Sequence, residues 1–461
     1  MPRRAAPTGV EGAPVIPASM VRLAMGVLCL VLLAIWMAGN IADPTGGSVN
    51  LGALAGGLLV GAALILEAWR RRSLVIRPWA APLLLFLAWF VIRWVVDVGD
   101  PASIKAVTVA TTGGVLLYLL LGVVAGVAIE SLAGASGSSP RMLRAGIAAW
   151  IAMLTLLATW MLVQMWVLRG SESGGRLVLD TQGRYQRPGN LLILMVAVAS
   201  CGTIAFLRPA TRRRLVPAMS MVVLTLLIAL SAALFAQFFG SNMAAVAALG
   251  IAVTTVAAVA AGPVWARRRA VFEAMTRGLV GSVFAIGLLL AVGALALATF
   301  SIEFDRLRIT GYGSGAIRSV ESRLELWENF PRHFADSPVL GNMAVDAETT
   351  GRGTYVHGVF GMLLTHTGVI GFVLFGTAVV SAACWLLRRP IRPAPFDRPS
   401  IERAESLHAA TMLIAIVGLA GLGTAITWAP MWFVLGLTAP PVAFAAPREI
   451  HLSPAGAEAA S

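Results

Sequence analysis

The 461-residue chain is 58% hydrophobic and only 12% charged, with a mean hydropathy of +0.83. Soluble domains carry roughly a quarter charged residues, so a soluble fold is excluded. The formal charge of +13 is almost wholly arginine, Lys105 being the only lysine, and the arginines stand in short runs between apolar stretches. That is the pattern of positive loops beside membrane spans, and no nucleic-acid partner is expected.

Apolar stretches of about 18–22 residues can cross a bilayer as helices. In chain order they fall near residues 21–39, 50–69, 78–97, 107–129, 145–168, 189–207, 216–237, 242–263, 278–299, 367–387, 407–426 and 429–446. The predicted fold is all-α, a polytopic transmembrane helical bundle of about 12 helices. The first apolar run, after Arg3, Arg4 and Arg22, is longer than the h-region of a signal peptide and reads as a retained helix. The organisation expected is a cytoplasmic tail over 1–20, helices 1–9 within 21–299 and a large outer loop over 300–366. Helices 10–12 then occupy 367–446, with a cytoplasmic tail over 447–461. Pro430, Pro440 and Pro441 interrupt the last span. Cys29, Cys201 and Cys384 lie on separate spans without CxxC spacing, so they read as small core residues.

The arginines set the topology. Arg3, Arg4 and Arg22 begin one side, followed by Arg70–Arg72 with Arg77, then Arg141 and Arg144, then Arg208 with Arg212–Arg214. Arg267–Arg269 with Arg277, then Arg388, Arg389, Arg392, Arg398 and Arg403 complete it. These runs occupy alternate loops, as an even helix count requires, and put both termini in the cytoplasm. Two loops on the opposite side are rich in mixed charge: Arg169–Pro188 and the long Phe300–His357 segment. In the latter, Trp327, Phe330, Phe334 and Leu340 alternate with charges. Short helices are expected around 317–334 and 355–367, lying over the outer mouth.

Chemistry is sought where ionisable groups collect. His357 stands where the long loop returns to the membrane, and histidine can take a proton from a hydroxyl nucleophile. An interfacial histidine that only bonds backbone is the equal alternative. Arg184 and Arg187 flank Tyr185 and Gln186 just before a helix, and Arg323 precedes Trp327. Guanidinium groups bind phosphates as bidentate, permanently charged donors. For any one of these arginines, contact with lipid headgroups explains its position as well. Arg93, near the outer end of the third span, reads as a snorkelling side chain or as one turned to the same site. No zinc-spaced His/Cys cluster, no G-x-x-x-x-G-K-[ST] loop and no G-x-S-x-G elbow occurs, which argues against ATP hydrolysis and serine hydrolase chemistry.

The segment from Ser322 to Gly371 resembles the signature region of the O-antigen ligase and polymerase family. The matching pieces are Arg323 with Trp327, then the Ser337-Pro338-Val339-Leu340-Gly341 turn. His357, Leu364, Gly368, Gly371 and Phe375 follow. Gly183–Asn190 is similar to the family's earlier arginine-containing outer loop. The sequence departs from the family pattern at Gly358, where asparagine is usual, and at His366, where glutamate is frequent. The resemblance implies an integral membrane glycosyltransferase in the inner membrane, acting on its outer side without metal or other cofactor. Its donor would be an undecaprenyl-diphosphate-linked glycan, and its acceptor a hydroxyl on a glycan, on lipid A–core or on a protein. It assigns His357 and Arg323 as catalytic, and Arg184, Arg187 and Arg323 to the donor diphosphate. A transporter or flippase of lipid-linked or small substrates is the alternative. It is disfavoured because the ionisable groups gather at the outer mouth and mid-helix positions read as apolar. An envelope scaffold is a third reading.

Overall fold

The computed structural model describes residues 18–41, 74–97, 106–136, 139–168, 186–210, 215–261, 327–328, 330–343, 358–388, 398–423, 428–440 and 442–444. The helices are α1 (Ala18–Ile41), α2 (Ala80–Asp97), α3 (Ala106–Ser136), α4 (Pro140–Val167), α5 (Gln186–Ala210) and α6 (Leu215–Phe238). They continue with α7 (Asn242–Ala261), α8 (Phe330–Asp336), α9 (Val359–Arg388), α10 (Arg398–Gly423) and α11 (Ala429–Thr438). Seven of the helices are long and apolar enough to span a membrane. In hydrocarbon every backbone N–H and C=O must pair internally, and a helix does this within one segment. The chain is therefore a multi-pass helical membrane protein. The expected spans at 50–69 and 278–299, residues 1–17 of the first tail, the second tail and most of the long outer loop lie outside the described residues, and α1 begins three residues inside the expected first tail.

Local signals agree with the helix limits. Ser139 caps α4 by accepting from Met142 N at 3.1 Å, with Pro140 opening the helix, where its missing N–H costs nothing. The last expected span, 429–446, is different from its prediction. Its helix is only ten residues long, and all ten are buried. Pro440 ends it, because proline lacks the N–H and drives its predecessor, the C-cap residue Ala439, out of helical geometry. The chain then forms strand β2 (Val442–Phe444), antiparallel to β1 (Leu74–Ile76), with Leu74 opposite Phe444 and Ile76 opposite Val442.

α11 fills the interior against α3. An added Cβ at Gly126 would lie 2.8 Å from the Leu437 carbonyl oxygen, and those at Gly122 and Gly436 would overlap the Phe433 and Leu119 carbonyls. Glycines at i, i+4 on α3 and one on α11 thus let the two backbones touch, the small-residue route to tight packing in membranes. Around this contact Phe86 of α2, Phe375 of α9 and Trp432 of α11 form one aromatic cluster, with ring centroids 5.3–6.1 Å apart.

Arg77 and Arg388 lie at one end of the bundle. The Arg77 guanidinium sits 4.1 Å from the centroid of the Trp385 ring, one turn before Arg388 at the end of α9. β1 and β2 bring the chain after α11 to the start of α2 at that same end. Arg77, Arg388 and the exit of α11 thus lie at the same end of the bundle.

Candidate site at the break in α9

The opposite end of α9 carries the features that stand out from simple helix packing. α9 is two helical segments joined at Gly368, whose φ of +66° and ψ of −173° are not helical. The expected boundary near residue 367 is therefore a break inside one element. A break leaves carbonyls before it and amides after it without helical partners. Here four of them have partners from elsewhere in the fold. Val369 N donates to Pro338 O at 2.9 Å, Ile370 N to Val339 O at 3.4 Å, and Asn342 N to Thr365 O at 2.8 Å. Trp89 Nε1 donates to Thr367 O at 2.9 Å.

Three of these partners come from a strap, residues Ser337–Met343, which follows α8. Pro338 prevents α8 from continuing, and Gly341 N closes the turn on Ser337 O at 2.9 Å. Gly341 has φ +77°, a left-handed conformation that glycine takes without a Cβ clash. An added Cβ there would lie 2.5 Å from His366 O, and one at Gly368 would lie 2.6 Å from Gly341 N. The two glycines face each other across the contact. The Pro-x-x-Gly turn and the later glycine, read separately along the chain, are thus two halves of one joint.

α2 holds the strap from the other side. Trp89, Arg93 and Asp97 follow at i, i+4 and i+8, one face of the helix. Arg93 pairs with Asp97, and its Nη2 donates to Gly341 O at 2.8 Å. Asp97 Oδ2 accepts from Met343 N at 2.8 Å. The two side chains are only 11% and 10% exposed. Arg93 is therefore not a snorkelling side chain: it stays in the packing and binds the strap. A carboxylate in the last turn of a helix opposes the helix dipole, and arginine before aspartate is the poorer order for an i, i+4 pair. The pair serves the strap better than it serves α2. Sequence reasoning missed Asp97, although an Arg–Asp i, i+4 pair closing an apolar span was a visible signal.

The expected site residues distribute unevenly. His357, Arg323 and Arg184 lie outside the described residues. Arg187 falls in the first turn of α5, and its side chain is likewise not described. Their neighbours are described. Gly358, directly after His357, has φ +119°, and an added Cβ would lie 2.7 Å from Gly421 O and 3.6 Å from the Trp327 ring. The backbone conformation and the close approach together call for glycine at this position. Met362 N donates to Gly358 O at 2.9 Å, so Gly358 opens α9. Trp327, Phe330 and Phe334 form a short aromatic stack with successive centroids 5.4 Å apart. Only the helical pair Trp327–Glu328 and α8 are described within the expected helix at 317–334, and α8 runs two residues past it. The first segment of α9 matches the expected helix near 355–367, but it is largely buried rather than lying over the mouth. His366, on that segment, is buried with Nδ1 2.9 Å from Met362 O and 3.1 Å from Thr365 Oγ1.

A second polar group lies within the bundle. Ser200 Oγ of α5 is 2.5 Å from Thr255 Oγ1 of α7 and 2.7 Å from His408 Nε2 of α10. All three residues are buried. Thr255 donates to Ile251 O at 2.8 Å, so by donor counting it accepts from Ser200, and Ser200 accepts from His408 Nε2–H. Beside it, Thr203 and Thr225 pair at 2.8 Å. The mid-helix positions are therefore not uniformly apolar, contrary to the sequence expectation. The histidine inside an apolar stretch was the available sign. No protein-family model and no curated protein matches the chain.

Proposed function

We propose that the protein is a glycosyltransferase of the O-antigen ligase and polymerase type. It would take a glycan from an undecaprenyl-diphosphate carrier to an acceptor hydroxyl on the outer side of the inner membrane. One observation carries the reading: the Pro338–Gly341 turn and Gly368, pieces of the resembling signature that are separate along the chain, meet at one joint. In the proposed reaction His357 takes the proton of the acceptor hydroxyl as its oxygen attacks the anomeric carbon. The bond from that carbon to the diphosphate breaks, and Arg323 with Arg184 or Arg187 neutralises the charge gathering on the departing lipid diphosphate. One well-placed donor of that kind is worth about 3 kcal/mol, or 10²–10³ in rate. No metal or nucleotide enters this scheme, since the diphosphate is itself the leaving group.

The test is the envelope glycan profile of a deletion strain complemented with wild type or with His357→Ala, membrane levels being matched. Loss of a glycan that wild type restores and His357→Ala does not is the expected result. Short chains would indicate a polymerase, and unattached long chains a ligase. Full restoration by His357→Ala would overturn the assignment. Transport is the second reading, and a specific observation favours it: the Ser200–Thr255–His408 chain crosses three helices inside the bundle, where transporters keep polar groups. Loss of substrate flux in His408→Ala with glycan linkage intact would select it.

A further inference from the structure

We infer that Arg93 and Asp97 are positioning residues that set the strap on the broken helix, and through it the segment of α9 that follows His357. This rests on the glycosyltransferase reading for its catalytic consequence, but the docking itself stands on geometry alone. The pair makes a two-point reading of strap backbone: Arg93 donates to the Gly341 carbonyl and Asp97 accepts from the Met343 amide. Between those two points Asn342 N bonds Thr365 O, in the last turn of the first α9 segment. One turn back along α2, Trp89 bonds Thr367 O. The face of α2 thus fixes both the strap and the carbonyl end of that segment. From Val359 to Thr367 the segment is about 13 Å of continuous helix at 1.5 Å per residue, with His357 next to its opening residue Gly358. A tilt at the joint is carried along this helix toward that end, and misplacing a reacting group by about 1 Å can cost 10²-fold in rate.

The ion pair and the docking function make opposite predictions for a charge swap. Arg93→Asp combined with Asp97→Arg keeps an i, i+4 pair, and in the favoured order. It inverts the donor and the acceptor, however: aspartate at 93 cannot donate to Gly341 O, and arginine at 97 cannot accept from Met343 N. The experiment uses full-length protein in nanodiscs, as wild type, Arg93→Ala, the swap and His357→Ala. Hydrogen exchange is read at the amides of Met343, Val369 and Ile370. Turnover is read with undecaprenyl-diphosphate-linked glycan extracted from the deletion strain.

The expected result is at least tenfold faster exchange at those amides in both Arg93→Ala and the swap. With it, kcat should fall on the order of 10²-fold while KM for the lipid-linked donor changes little. A swap that keeps wild-type protection and turnover would overturn the inference, leaving a simple helix ion pair. Faster exchange with unchanged kcat, while His357→Ala is inactive, would overturn positioning and leave the glycosyltransferase reading intact. An active His357→Ala would remove that reading, and the catalytic consequence with it, whatever the exchange data show for the docking.

Discussion

Alanine at Gly368 is the sharpest probe of the joint between the strap and α9. The backbone there has φ +66° and ψ −173°, a region essentially confined to glycine, and holding another residue in it costs about 1–3 kcal/mol. The new Cβ would also overlap the Val339 carbonyl oxygen and lie 2.6 Å from Gly341 N. Both are backbone atoms, so no side-chain rotation relieves the clash. Separating the chains breaks Val369 N to Pro338 O and Ile370 N to Val339 O, each worth about 0.5–1.5 kcal/mol net. The total is about 2–6 kcal/mol. Gly376, two turns along the same helix, supplies the control, because an added Cβ there meets nothing within 4 Å. Alanine at 376 is expected to be neutral or to stabilise by about 0.5–1 kcal/mol. Both variants would be heated as full chains in nanodiscs and the monodisperse fraction followed by tryptophan fluorescence on size exclusion. A Gly368→Ala midpoint equal to that of Gly376→Ala would refute the account of the joint.

Other outcomes follow from the same geometry. Gly436→Ala places a Cβ into the Leu119 carbonyl on α3 and should destabilise by about 1–3 kcal/mol through overpacking; Gly418→Ala, with open space around it, should not, and the same thermal assay compares them. Ser200→Ala takes the acceptor from the buried His408 Nε2–H, at about 1–3 kcal/mol, and His408→Ala removes the bond that Ser200 Oγ accepts, at about 0.5–1.5 kcal/mol. The double variant should lose less than the two losses added, and additive losses in a double-mutant cycle would show that the two groups are not coupled. Trp428→Phe removes the Nε1 bond to Asn190 Oδ1, 2.9 Å long, and should lower stability by about 1 kcal/mol without changing membrane level, measured by quantitative blotting beside the thermal midpoint.

Much of the architecture was open to a reader of hydropathy. The helices α1 to α7 begin and end within about five residues of the apolar stretches that announce them, because lipid leaves the backbone no other way to pair, except that α3 runs on to Ser136, two turns past its stretch. α11 was harder, since an apolar run ending in Pro440 and Pro441 looks the same whether it crosses a membrane or fills a groove inside a bundle. What decides is the close approach of Gly122, Gly126 and Gly436, a tertiary fact. The joint at Gly368 was half legible: the Pro-x-x-Gly turn and the glycine were noticed as separate marks, but mutual capping of a turn and a broken helix is a pairing across space. Arg93 alone suggested a side chain reaching for the interface. Only with Asp97 beside it, and two strap backbone groups to satisfy, does it become a partly buried clamp. The Ser200–Thr255–His408 chain escaped notice because each residue is isolated in its own apolar stretch.

The pairing of β1 with β2 also sets an order of events during synthesis. Ile76 leaves the ribosome about 370 residues before its partner Val442, a wait of about 20–70 s at 5–20 residues per second. α11 arrives equally late, so the groove along α3 that it fills stands empty while the other helices are already inserted. The nascent bundle must tolerate an unfilled interior and an unpaired strand beside α2 until α11 and β2 are made. A chain cut short just before Ala429 would keep nearly all of its apolar helices and still lack the piece that closes it.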